Sequence, residues 1–203
     1  LGLLLAGALG PLSTKYEQRQ REQTQASLEL IRESLIGHAL TTGRLPCPDT
    51  NGDGEENLLG TDGNRTCAVV TNFVSAGNVP WLTLGVPQFD EWREGFVYVV
   101  TSDFADEISG ANQSPAPNAC GTATLGVSFE LCSAGQLNVV SAATGGTEVV
   151  KEIPALVLST GNHGTSSLAS EQSADEQENF NNDDTFVYRD LSMQTGEDFD
   201  DLM

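Results

Sequence analysis

Basic residues are scarce in this chain of 203 residues, 9 Lys and Arg against 29 Asp and Glu, and there are only two histidines. His38 and His163 are far apart in sequence and show no ligand-pair spacing. The four cysteines, Cys47, Cys67, Cys120 and Cys132, have no C-x-x-C spacing, so neither a zinc site nor a haem attachment is expected. There is no G-x-S-x-G, no P-loop and no H-E-x-x-H. The many carboxylates sit in polar runs, away from apolar walls that would raise a pKa, and an enzyme is not expected. Long hydrophobic runs are also missing. The most apolar stretch, Leu1 to Leu12, would reach about 18 Å as a helix, short of the roughly 30 Å of a hydrocarbon core.

The net charge of -20 is unevenly placed. Leu1 to Leu40 balances four acids (Glu17, Glu22, Glu29, Glu33) with four bases (Lys15, Arg19, Arg21, Arg32), whereas the remainder carries 25 acids and 5 bases. Such a surface repels phosphate backbones, so nucleic acid is not an expected partner, and it favours cations. Self-repulsion opposes dense packing of copies, and any assembly has to be driven by the charge-balanced segment or helped by divalent ions.

That segment reads as one helix in three parts. Leu1 to Leu12 is apolar throughout, Lys15 to Gln25 is polar on every face except at Tyr16, and Ala26 to Leu40 sets Leu28, Ile31 and Leu35 at spacings of three and four. Only the last part can pack on a globular body. Ala6-Gly7-Ala8 has the A-x-A pattern of a signal-peptidase site, but helix formers resume directly after Pro11, which favours the end of a longer hydrophobic helix. The organisation expected is a helix over residues 1–40 and an acidic, loop-rich head over 41–203, an α+β fold with the helix on an antiparallel sheet.

Four motifs carry a resemblance. GLLLAGALGPL (Gly2 to Leu12), followed by a polar and then an amphipathic helix, resembles the N-terminal helix of type IV pilins and type II secretion pseudopilins. GRLPCPDTNGDG (Gly43 to Gly54), VPWLTLGVPQFDEW (Val79 to Trp92) with FVYVV (Phe96 to Val100), and ADEQENFNNDDTFVYRD with FDDL are similar to a bacterial group with prepilin-type leaders. The resemblance implies a pilin-like fold and a structural subunit of an extracellular type IV pilus-like filament, held in the inner membrane before assembly. It also implies further residues before Leu1, including the processed leader. The helical homo-oligomer would assemble through Leu3, Leu4, Leu5, Leu9 and Pro11, with Glu17, Arg19 and Arg21 against neighbours. Alternatives are a type II secretion pseudopilin or minor pilin, and a membrane-tethered, calcium-stabilised binding domain. Gly2, Gly7, Gly10 and Pro11 weaken the helix, and this stretch is expected to unwind in a filament.

Two stretches suggest calcium. Asp49, Asn51 and Asp53 fall at positions 1, 3 and 5 of an EF-hand-like loop, with Gly54 at 6 and the carbonyl of Glu55 at 7. Position 12 is Gly60 instead of glutamate, and a polar Asx-rich turn is the competing reading. The second stretch follows from the resemblance alone: a calcium-closed loop after an L-S-x-G strand in the major pseudopilin implies Leu158 and Ser159 with Asp183 and Asp184, and Glu178 nearby.

The even cysteine count in an exported context favours two disulfides; of three connectivities, Cys47–Cys67 and Cys120–Cys132 are expected. Trp81 and Trp92 read as core plugs. Strands are expected at Val69 to Val74, Phe96 to Thr101, Leu125 to Leu131, Gln136 to Ala142, Ala155 to Ser159 and Thr185 to Asp190. The nearly apolar-free Thr160 to Asp184 reads as disordered.

Overall fold

The computed structural model describes residues 2–61, 65–68, 70, 74–107, 133–162, 164, 172–181, 183–192 and 199–203, with side chains from Thr14 onward. Helix α1 is continuous over Gly2–Thr42. Thr24, Leu28, Ile31 and Leu35, spaced by four, three and four, are all buried and form its inner stripe. Gly43 ends it at φ +80, a left-handed conformation that a residue with a Cβ adopts at a cost, and its N–H closes on Ala39 O at 2.9 Å. Among the described residues no helix is long and apolar enough to cross a membrane.

Beyond α1 the order is β1 (Leu58–Leu59), β2 (Thr66–Cys67), β3 (Val74–Asn78), α2 (Trp81–Leu84), β4 (Val97–Thr101), β5 (Leu137–Val140), β6 (Glu148–Ile153), β7 (Ala155–Leu158), α3 (Ala174–Glu178) and β8 (Thr185–Val187). Among the described residues three sheets form: β1-β2, an antiparallel β3-β4-β7, and β6-β5-β8. The FVYVV run lacks polar alternation because both faces of β4 are covered. Phe96, Tyr98 and Val100 pack with Leu28, Ile31 and Leu35 of α1, whereas Val99 packs with Leu137, Val139 and Phe186 of the other sheet. The central sheet thus lies between helix and second sheet, an α+β architecture as the sequence suggests.

Several details differ from expectation. The strand placed at Val69 to Val74 instead runs Val74–Asn78, through Gly77. A Cβ on Gly77 would lie 2.6 Å from Asp49 O, so glycine there lets the Asp49 backbone cross and bridge Asn78. β6 has no counterpart among the expected strands; it is exposed along most of its length, and burial alternation gives no signal in such a strand. β8 joins β5 in parallel, not antiparallel. Thr160 to Asp184 is not uniformly without structure: α3 forms within it. Leu125 to Leu131 lies outside the described residues.

At the exit of α1, Arg44 donates twice to Glu56 (2.6 and 2.6 Å), whose carboxylate also accepts Cys47 N–H at 3.2 Å. Burial works to raise the Glu56 pKa, but Arg44 outweighs it and the carboxyl sits below its ordinary value. Half-buried His38 beside this pair is shifted down, chiefly by burial. Both folded-state pKa values lie below the unfolded ones, so both groups contribute stability that is complete above the unfolded values and lost as pH falls through the folded ones. The urea midpoint is expected to decline first below about pH 6.5, as His38 charges, and again below about 4.3 as Glu56 is protonated. In His38→Gln the upper decline should vanish and the lower one remain.

Candidate metal centre

α3 is set by its first turn. Ser173 Oγ accepts Glu176 N–H at 3.3 Å and Glu176 Oε2 accepts Ser173 N–H at 2.9 Å, a reciprocal capping box. The cap turns Glu176 inward, fully buried, where its Oε1 accepts Asp200 N–H at 3.2 Å. Asp200 and Asp201 arrive on the chain end, held by the antiparallel bridge of Ser159 with Leu202 (2.8 and 2.9 Å). Asn179 fastens the arrangement, with Nδ2 donating to Asp201 Oδ2 at 2.7 Å and to Val187 O at 3.1 Å while its Oδ1 accepts Val187 N–H.

Glu176, Asp200 and Asp201 are all buried, and each offers a carboxylate oxygen within 4.8 Å of the others. Two unit charges at that distance repel by on the order of 3 kcal/mol at an effective dielectric of about 20. A hard divalent cation converts that repulsion into attraction and takes oxygen donors of this kind. The triad therefore has the donor set to hold a metal ion.

The neighbourhood is tightly built. Asn162 N–H donates to Asp200 Oδ2 at 2.8 Å, and a Cβ on Gly161 (φ +55) would lie 2.5 Å from Asp200 Oδ1, so only glycine admits this approach. Thr160, opposite Asp201 in the register set by the Ser159–Leu202 bridge, is fully buried, and its Oγ1 has no hydrogen-bond partner. Arg189 pairs with Asp175 at 2.7 Å and lies 4.9 Å over the Phe199 ring.

The residues expected to bind metal are placed elsewhere, apart from the Leu158–Gly161 segment. Leu158 is a core residue of β7, and Ser159 Oγ donates to Asp90 Oδ2 at 2.6 Å. Asp183 caps the turn into β8, accepting Thr185 N–H at 2.7 Å, and Asp184 accepts the Thr185 hydroxyl. The acids that face the L-S-x-G segment are Asp90, on the Ser159 hydroxyl, and Asp200 of the FDDL motif, beside Gly161 and Asn162, with Glu176 of α3 behind Asp200. Glu178 is raised, first by partial burial and then by Asp183.

The Asp49 loop closes on itself. Buried Asp49 accepts Asn51 and Gly52 N–H on Oδ1 (3.1 and 2.7 Å) and Gly54 N–H on Oδ2 (2.8 Å). Asp53 Oδ1 accepts Glu55 N–H, Gly54 O accepts Leu82 N–H, and the Trp81 ring lies against Gly54. Asp49 thus serves as an internal acceptor, the role of an Asx-rich turn.

Cys47 and Cys67 form a disulfide, as expected; Cys120, Cys132 and His163 lie outside the described residues. On α1, Arg19 is exposed and Glu17 and Arg21 are half-buried, while the side chains of Leu3, Leu4, Leu5, Leu9 and Pro11 lie outside the description.

The class these features define is an α+β protein with a long N-terminal helix, antiparallel sheets and a buried acidic triad. The chain matches no family model, no curated protein and no solved structure.

Proposed function

We propose that this protein is a non-catalytic structural subunit of a type IV pilus-like extracellular filament, assembled through α1 with the acidic head outside. The observation that carries the reading is the division of α1. Gln20 is tied to the head, its Nε2 donating to Glu91 O at 3.0 Å, while Lys15, Tyr16 and Arg19 are exposed and the sequence before them is apolar. A helix of charge-balanced and apolar segments on a head of charge -20 supports association by helix and separation of heads. The motifs that resemble pilins point the same way. Before assembly, the apolar end would sit in the inner membrane.

Calcium is the cation proposed for the triad, with Glu176, Asp200 and Asp201 as carboxylate ligands and Thr160 beside them. Its part would be to neutralise three buried charges and tie the chain end to α3 and β7. Extracellular modules bind calcium at about 0.1 to 1 mM, which suits an exported head.

Electron microscopy of cells expressing the protein tests the filament. Filaments are expected from the parent chain and strong loss from the double reversal Arg19→Glu, Arg21→Glu, with the head still folded by circular dichroism. Monomeric protein and bare cells in the parent would favour the tethered-domain reading.

A further inference from the structure

Asn51-Gly52 is the chain's sole Asn-Gly dipeptide, and the fold holds both reactants of a ring closure there. Asn51 is exposed, and Gly52 sits at φ +80 with open space around it. The Asn51 carboxamide is fixed at both ends by Asp53: its Oδ1 accepts Asp53 N–H at 3.1 Å, which draws electron density from Cγ, and its Nδ2 donates to Asp53 Oδ2 at 2.8 Å. The attacking atom, Gly52 N, donates its hydrogen to buried Asp49 Oδ1 at 2.7 Å. A negative carboxylate there opposes deprotonation of that nitrogen and holds it in the turn.

We infer that Asn51 is a site of spontaneous covalent modification, gated by Asp49. When Gly52 N–H leaves Asp49, the nitrogen loses its proton to solvent base and attacks Asn51 Cγ. The N–Cγ bond forms, the Cγ–Nδ2 bond breaks and ammonia departs with a solvent proton. Solvent water then opens the five-membered imide at either carbonyl, giving aspartate or isoaspartate. No electrons are exchanged. Asn57, Asn78 and Asn138 lack this access, because they precede Leu58, Val79 and Val139, whose side chains crowd the attacking nitrogen. Aspartate at 51 adds a carboxylate beside Asp53. Isoaspartate adds a methylene to the main chain and breaks the spacing by which Asp49 reaches Gly52 and Gly54 together.

The experiment incubates the intact chain in mildly alkaline buffer, folded and in urea, and follows each asparagine by peptide mass mapping and isoaspartyl methyltransferase labelling. Conversion is expected at Asn51 ahead of Asn57, Asn78 and Asn138 in the folded chain, and severalfold faster at Asn51 in urea. Asp49→Asn, folded by circular dichroism, should approach the urea rate. No excess conversion at Asn51 in the folded chain overturns the site, and equal rates in folded, unfolded and Asp49→Asn chains overturn the gate. Should Asp49→Asn not fold, amide exchange at Gly52 in the parent decides: slow exchange is expected, and exchange at the unfolded rate removes Asp49 from the account.

Discussion

Asp200→Asn is expected to raise the melting temperature in chelator and lower it in calcium. Without an ion the substitution removes one of three buried charges while an amide oxygen still accepts Asn162 N–H, so repulsion within the triad falls. With calcium the same substitution removes a ligand. The parent chain should gain about 2.7 kcal/mol at a hundredfold excess over its dissociation constant, or roughly 5–10 °C for a chain of this size. The variant should lose most of that gain. Scanning calorimetry of both proteins in calcium, magnesium and chelator decides it, and melting curves insensitive to calcium in the parent would remove the ion from the triad. Replacing Glu176 is a poorer test, because its carboxylate also accepts Ser173 and Asp200 N–H, and their loss destabilises with or without a cation.

Opening the Cys47–Cys67 bond is the second large effect. The two residues are 20 apart, fully or almost fully buried, and belong to the cluster that contains Leu28, Ile31 and Leu35. On the chain-entropy account, closing a loop of that length contributes roughly 3 kcal/mol. Each end is also tied into the head: Pro46 O accepts the buried Tyr98 hydroxyl at 3.0 Å, and Cys67 N–H donates to Asp106 Oδ1 at 2.8 Å. Cys47→Ser, Cys67→Ser is expected to lose about 2–5 kcal/mol in urea unfolding. A loss under about 1 kcal/mol would mean that Arg44–Glu56 and the Asp49 turn close the loop without the bond.

Where local chemistry decides the outcome, the sequence is a good guide. The helix, its buried stripe, the FVYVV strand and the pairing of Cys47 with Cys67 follow from periodicity, apolar runs and short separation. Composition is a poor guide to Thr160 to Asp184, because it averages over residues that act singly. Ser173 and Glu176 have the capping-box spacing, and that one local signal marks α3 within an acidic run. Asp200 and Asp201 give no comparable signal: long-range contacts, among them the bridge of Ser159 to Leu202 and the Asn179–Asp201 hydrogen bond, bring them beside Glu176. The same limit explains β8, whose parallel partner lies over forty residues earlier and is invisible to local pattern.

The continuous helix and the buried bond at its foot together fix where tension would run. A pull along α1 leaves the helix at Thr42, passes through Leu45 and Pro46 to Cys47, and crosses the sulfur atoms directly to Cys67. The chain between the cysteines is therefore off the load path. An extended span of 20 residues, on the order of 70 Å of slack, stays sealed while the head is strained. The Asn51-Gly52 turn lies inside that sealed span, so stretching alone would not pull it open.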